Sequence, residues 1–230
     1  MASIVWRLKL GPIGENCYIV KSGDVVLIID PGSEPETIVA FLREHELIPS
    51  MVVLTHGHLD HTSAIPELFA KLAQNFPIAM HPDDAHYLGA RSEATNRQLF
   101  EAIRAPSYFL AYWKPLPEAT VFLEDGKMIP GTQVQVIHTP GHSKGSISLF
   151  ERELSPGSYG FEDTPLHGYL ITGDTLFRDG VGRTDGPDSD PIALEHSLEK
   201  LALFSPETLV FPGHGPRTTI GRELPAPLRK

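Results

Sequence analysis

The sequence predicts an α/β protein built in layers. Short β-rich apolar runs alternate with amphipathic helical stretches along the 230 residues, Gly, Pro, Asn and Asp punctuate the junctions, and no internal repeat or low-complexity linker interrupts the pattern. At 41% hydrophobic and 21% charged residues the chain can bury a substantial core, and one domain spanning 1–230 is expected.

The N-terminal third is the easiest to read. Ile4–Leu8, Asn16–Val20 and Val25–Asp30 read as strands separated by Gly and Pro turns, an antiparallel meander. Pro35–Leu47 reads as a helix with Ile38, Phe41, Leu42 and Leu47 on an apolar face and Arg43, Glu44 and Glu46 towards water. Met51–Thr55 is β-rich and runs into His56-Gly57-His58, which puts the first histidines just past a strand end. A helix over Thr62–Asn75, a strand at Ile78–Met80, a helical stretch from Asp83 to Tyr112 and strands at Val134–His138 and Ser146–Phe150 come next. Ser155–His167 reads as an exposed loop before an apolar run resumes at Tyr169–Thr172. A helix over Pro191–Phe204 and a strand at Thr208–Phe211 lead into Gly213-His214-Gly215.

Composition narrows the function classes. A formal net charge of −10 disfavours a surface that holds a phosphate backbone, because such affinity comes from Lys and Arg neutralising phosphates, so no nucleic-acid partner is expected. Cys17 is the sole cysteine, which excludes an intramolecular disulfide and a thiolate metal cluster. Its apolar strand marks it as an inert core thiol. No run approaches the roughly 20 apolar residues of a membrane span, and Met1–Leu10 alternates polar and apolar residues instead of showing a signal-peptide core. A soluble, cytoplasmic protein with no membrane partner is expected.

The chemistry concentrates in His56-Gly57-His58-Leu59-Asp60-His61, Gly141-His142, Gly173-Asp174 and Gly213-His214, each at or just beyond a predicted strand end. In an extended segment, residues two apart point the same way, so His56 and His58 can share one ion, with Gly57 letting the backbone bend between them. Asp60 and His61, at the start of the next helix, can turn towards a second ion. Imidazole and carboxylate donors without thiolate suit zinc, iron or manganese, zinc foremost, and a carboxylate such as Asp174 can bridge two cations. Ions so held lie roughly 3.5–4 Å apart, and a water between them loses its proton near neutral pH to give a hydroxide nucleophile. A lone histidine is most often a structural residue with a satisfied ring; a dense H-x-H-x-D-H cluster joined by three donors that each follow glycine is not. His45, His81, His86, His167 and His196 lack ligand-like spacing, and His138, four residues before His142, is expected to support the metal loop or pack beneath it. Tyr108, Tyr112 and Trp113 are expected to pack, or to line the substrate mouth.

These motifs resemble those of the metallo-β-lactamase superfamily. Asn16-Cys17-Tyr18, Asp30-Pro31-Gly32, Gly182-Arg183-Thr184-Asp185 and Gly213-His214-Gly215-Pro216 are similar to the short bacterial glyoxalase II-like hydrolases, and the resemblance covers essentially the whole chain. It implies an αββα sandwich of two mixed sheets flanked by helices, and thioesterase activity on S-lactoylglutathione or a similar small thioester. It also implies a ligand set: His56, His58 and His142 on the first ion, Asp60, His61 and His214 on the second, Asp174 bridging, and Asp60 orienting the attacking water.

Arg183 stands where longer relatives place a cation for the glutathione carboxylate, and Lys144 is a second cation able to meet an acidic substrate group. Fewer than twenty residues follow His214, so a C-terminal glutathione-binding helical domain is expected to be absent, which leaves the thiol open. Ser143 and Lys144, where relatives usually have Thr and a small residue or Pro, and Gly186, where they often carry an aromatic, depart from the family pattern. The rival activity is that of the persulfide dioxygenases, which the same resemblance implies would use one iron on His56, His142 and Asp174; Asp60, His61 and His214 together favour two metals. A true β-lactamase, several classes of which place Cys where this chain has Asp174, and an RNA-processing nuclease fit less well. The non-enzyme alternative is a metal-binding scaffold without turnover.

Overall fold

Alternation within single strands sets up the layers. On Glu15–Ser22, Cys17 and Ile19 point to one side and Tyr18 and Val20 to the other, and all four are buried, so both faces of this strand must be covered. The computed structural model describes residues 2–155, 157–159 and 167–224. The elements are β1 (Ile4–Leu10), β2 (Glu15–Ser22), β3 (Val25–Ile29), α1 (Pro35–Glu44), β4 (Met51–Val53), α2 (Leu59–Thr62), α3 (Ile65–Leu72) and β5 (Ile78–Met80). Two 3₁₀ turns (Pro82–Tyr87 and Gly89–Arg91) precede α4 (Ser92–Ala102), α5 (Pro106–Tyr112) and β6 (Val121–Phe122). Then come β7 (Gln135–His138), β8 (Ile147–Glu151), β9 (Tyr169–Gly173), the β10–β11 hairpin (Leu176–Phe177 and Gly180–Val181) and α6 (Pro191–Leu201). The chain continues through β12 (Leu209–Pro212), β13 (Thr218–Thr219) and α7 (Ile220–Glu223).

Among the described residues the first large sheet has six strands in the order β1-β2-β3-β4-β5-β6, antiparallel through β3 and parallel from β3 to β6. The second has five in the order β13-β12-β9-β8-β7, with only the β12–β9 pair parallel. Their inner faces meet in one apolar layer, where Tyr18, Leu27, Ile29 and Val53 pack opposite Leu149, Tyr169, Ile171 and Phe211. On the outer face of the first sheet, Ile19, Ile28 and Val52 take Ile38 and Leu42 of α1 and Leu68 of α3; on that of the second, Leu170 and Val210 take Leu201 of α6 and Ile220 of α7. The result is the expected αββα sandwich of two mixed sheets.

Helix boundaries depart from the sequence reading for local reasons. The helix expected to reach Leu47 ends at Glu44, because Glu46 turns left-handed (φ 52°) and Leu47 N–H closes on Leu42 O at 2.8 Å. The helix expected over 62–75 breaks between Thr62 and Ile65 and stops where Ala73 enters the left-handed region (φ 52°). The helical stretch from Asp83 divides into the two 3₁₀ turns, α4 and α5, and most of the loop expected over 155–167 lies outside the described residues.

The short strand β4 delivers the first histidines to the sheet edge. Its ladder ends at Val53, and two residues on, the Thr55 carbonyl accepts from Ile147 N–H of β8 in the opposite sheet (2.8 Å). That bond draws the two sheets together at the edge where β4, β7, β9 and β12 all end, each leading into a candidate ligand.

Candidate metal centre

Each donor is set by its backbone. Thr55 donates its N–H (2.7 Å) and its hydroxyl (2.6 Å) to the carboxylate of Asp30, which fixes the start of the loop that carries His56. Gly57 is required for room rather than for bending: a Cβ there would lie 2.5 Å from Cβ of Tyr87. His58 caps α2 in extended conformation, and α2 carries Asp60 and His61. Gly141, at φ 137° and with a Cβ position only 2.4 Å from the backbone of Leu194, lets the His142 loop lie against α6.

The seven sequence-predicted donors fall into two groups. One donor atom from each of His56, His58 and His142 lies within 4.8 Å of the others, and the same holds for Asp60, His61, Asp174 and His214. Nδ1 of His58 faces Nε2 of His142 at 2.9 Å. Asp174 stands between the groups: Oδ1 is 3.4 Å from Nε2 of His61, and Oδ2 is 3.7 Å from Nε2 of His142 and 3.7 Å from Nε2 of His214. Oδ2 of Asp60 lies 3.2 Å from His214 and 3.6 Å from His61.

The donor set fits two cations. Nε2 of His56, Nε2 of His61 and Oδ1 of Asp174 are buried without a hydrogen-bond partner among the described residues. Leaving a buried polar atom unpaired costs about 1–3 kcal/mol, a cost that coordination removes. Burial, aided by neighbouring imidazoles, lowers the pKa of His56 and brings that of His58 to about 3, so both rings stay in the neutral, ligating form. In the other group burial would neutralise the carboxylates, yet His61 and His214 hold Asp60 well below the usual range and Asp174 at about 2. Burial likewise opposes a charge on His61, but the carboxylates of Asp174, Asp60 and Asp30 overcome it and raise its pKa well above the ordinary value. Without metal these carboxylates therefore favour a proton on His61.

Carboxylates that sequence reading did not single out as functional orient these rings. Asp30 takes Nδ1 of His61 at 3.0 Å, which leaves Nε2 facing the site. Asp84 is fully buried and accepts from Gly57 N–H (2.9 Å), Ser143 Oγ (2.6 Å) and Gly145 N–H (2.6 Å), tying the His56–His58 loop to the His142 loop. Nδ1 of His142 bonds the Arg183 carbonyl at 2.9 Å, and the Asn16 amide donates to the carbonyls of Pro212 and Gly215 (2.8 Å each), bracing the turn that carries His214. Glu15 is buried, and burial pushes its pKa well up, towards the neutral acid, against the opposing pull of His61. The strand-ending Asp-Pro-Gly was a signal for Asp30; Asp84 and Glu15 carry none.

A cavity of about 240 Å³ opens over the donors, with His58, Asp60, His142 and Asp174 in its lining and Tyr108 and Arg183 at its walls. Arg183 is forked onto Asp185, Nε to Oδ1 at 2.6 Å and Nη2 to Oδ2 at 2.8 Å. Lys144 is outside the cavity lining, with its ammonium 3.4 Å from Asp188. His138 does brace the metal loop: its Nε2 meets the Lys144 carbonyl at 2.9 Å, and its ring stacks on His81 (centroids 4.0 Å apart). Cys17 is fully buried, and burial raises its thiol pKa well above normal.

The fold and the donor geometry define a metallo-hydrolase, and the chain belongs to the metallo-β-lactamase superfamily, whose family model matches residues 10–214. Among curated relatives, the hydroxyacylglutathione hydrolase GloC of Haemophilus influenzae is 30% identical over 219 residues, covering 91% of this chain and 89% of GloC. Among solved structures, TTHA1623 in a di-iron-bound form is 35% identical, with a TM-score of 0.73, and covers 94% of this chain and 95% of its own. The BLEG-1 B3 metallo-β-lactamase is 30% identical, with a TM-score of 0.75 and 95% coverage of both chains. The protein is thus a metal-dependent hydrolase of the metallo-β-lactamase fold with a candidate dimetal site and a small-molecule substrate. Among the described residues no helix is long and apolar enough to cross a membrane.

Proposed function

We propose that the protein hydrolyses a small thioester of the S-lactoylglutathione type at a two-metal centre. His56, His58 and His142 would hold one ion, Asp60, His61 and His214 the other, with Asp174 shared. The observation that carries the reading is the Asp174 carboxylate, whose oxygens lie 3.4 Å from His61 and 3.7 Å from both His142 and His214, within reach of both donor groups. Two divalent ions bound there, zinc, iron or manganese, supply an acidified water and positive charge for the acyl oxygen. GloC, 30% identical, supports a thioester as the substrate.

The chain's own residues do the positioning. Asp60, ionised against His61 and His214, offers a carboxylate oxygen that accepts a hydrogen bond from the attacking water and aims its lone pair at the acyl carbon. Asp30 and the Arg183 carbonyl hold His61 and His142 so that each Nε2 faces inward. No protein nucleophile is needed, and among the described residues Ser189 alone of Ser, Thr and Cys lines the cavity, its hydroxyl donating to the His142 carbonyl at 2.7 Å.

The test is hydrolysis of S-lactoylglutathione by metal-loaded protein, alongside Asp174→Ala. Turnover that disappears together with metal in the variant supports the reading; full activity in Asp174→Ala sinks the two-metal mechanism. One iron per chain, no hydrolysis, and oxygen uptake with glutathione persulfide would assign the protein to the dioxygenases instead.

A further inference from the structure

A second cluster of donors lies apart from the seven around Asp174. His81 follows β5, Asp83 lies in the 3₁₀ turn after it and His138 ends β7, and one donor atom of each lies within 4.8 Å of the others. Sequence spacing gives His81 no ligand pattern; the fold brings it onto His138 by joining the ends of β5, in the first sheet, and β7, in the second. Hydrogen bonds decide which ring nitrogens are bare. The Lys144 carbonyl can only accept, so in the neutral His138 ring Nε2 carries the proton and Nδ1 keeps its lone pair. Nδ1 of His81 accepts from Asp83 N–H at 3.3 Å, so it too is without a proton, and Oδ2 of Asp83 is 3.7 Å from it. Burial and the neighbouring His138 lower the His81 pKa, which favours the neutral ring. The Lys200 ammonium is committed beside the cluster, 3.3 Å from Asp125 and 2.9 Å from the His138 carbonyl, while Asp125 also accepts from His138 N–H at 2.7 Å. One ammonium thus stands beside two carboxylates, Asp83 and Asp125, a balance that favours a further cation.

We propose that His81, Asp83 and His138 bind one further divalent transition-metal ion, of the zinc, nickel or copper class, outside the dimetal centre. Two imidazoles and a carboxylate suit such an ion, and the exposed Asp83 leaves water free to complete its shell. The rings stack with planes 8° from parallel, so they cannot both aim a lone pair at one point, and binding must tilt one of them. His81 is the ring that gives, because its bond from Asp83 N–H is 3.3 Å long whereas His138 is held on the Lys144 carbonyl at 2.9 Å. An outer carbonyl that holds the far N–H of a metal-bound imidazole is the usual way such a ring is oriented. Here that carbonyl belongs to the loop that carries His142, so the ion would be tied through His138 to the wall of the dimetal centre.

Zinc serves as the probe, on the whole chain. In equilibrium dialysis against excess zinc, followed by elemental analysis, the wild-type protein should hold one more ion per chain than His81→Gln. With three protein ligands this ion is held more loosely than the pair, so desalting should remove it from the wild type and abolish the difference. A second measurement needs no variant to fold. In nitrogen-15 NMR of the wild-type imidazoles, zinc added beyond saturation of the dimetal centre should shift Nδ1 of both His81 and His138 and leave Nε2 of His138 protonated. Equal zinc in wild type and His81→Gln overturns the site, as do His81 and His138 nitrogens that stay unmoved in excess zinc. Both readouts are independent of what the protein hydrolyses, so a failed thioesterase assay leaves this test intact.

Discussion

A single methyl group placed at Gly213 should dismantle the centre without removing any donor. Gly213 sits between β12 and His214, where its N–H donates to the Gly173 carbonyl (2.8 Å) and its own carbonyl accepts from Asn16 N–H (2.7 Å). A Cβ added there would lie 2.2 Å from Oδ1 of Asp174, 2.8 Å from Cε1 of His61 and 3.0 Å from the carbonyl carbon of Gly173. Two of these neighbours cannot retreat: His61 is buried and tied to Asp30, and Gly173 is backbone within the sheet. The Asp174 carboxylate must therefore swing away by roughly 1 Å, and a displacement of that size costs about a hundredfold in rate. That corresponds to about 2.7 kcal/mol of transition-state stabilisation. Gly213→Ala should keep the native circular dichroism, bind fewer than two metals per chain and lose about a hundredfold in kcat/KM. Gly180→Ala, whose Cβ would meet nothing within 4 Å, is the control and should behave as wild type. A Gly213→Ala protein with full metal content and kcat/KM within threefold of wild type would refute the steric reasoning.

The groups around the donors give further expectations. Asp30→Asn should weaken metal binding by about 10–100-fold in competition with a chromogenic chelator, since it loosens the hold on Nδ1 of His61; an unchanged affinity would show that Asp30 does not hold the ring for metal. Asp84→Ala strands the Gly57 and Gly145 amides and the Ser143 hydroxyl, and should cost about 3 kcal/mol in urea unfolding of the metal-free protein, whereas a loss under about 0.5 kcal/mol would contradict the tie between the loops. Metal uptake should release protons. Because the carboxylates of Asp174, Asp60 and Asp30 raise the His61 pKa, metal-free protein favours a proton on that ring, which must leave for Nε2 to bind an ion. Affinity should therefore climb with rising pH below the raised His61 pKa, by about tenfold per pH unit for each proton released. Calorimetry in buffers of different ionisation enthalpy measures the release, and a pH-independent affinity would contradict it.

What could be read from the sequence was whatever carries a local pattern. Cys17–Tyr18–Ile19–Val20 displays strand alternation outright, and the strand core Ile78–Met80 is bounded where expected because β-rich apolar residues stop at His81-Pro82. The donors were legible because four of them crowd into His56–His61 and the other three each follow a glycine at a strand end. Asp84 was not, since its role exists only once distant segments meet: it bonds residues 27, 59 and 61 positions away. Gly57 was legible as a necessary glycine, but its reason, the ring-bearing side chain of Tyr87 thirty residues on, is tertiary. The breaks at Glu46 and Ala73 hid for a different reason, because neither residue type advertises a left-handed conformation and only the capping bonds enforce it.

The central claim, a centre that works with two ions, is tested most directly by titrating metal-free protein with zinc while following thioester hydrolysis. Activity that rises to a plateau at two equivalents per chain, and is lost again on chelation, is the predicted result. A plateau at one equivalent, or full activity in protein shown by elemental analysis to hold no metal, would contradict it.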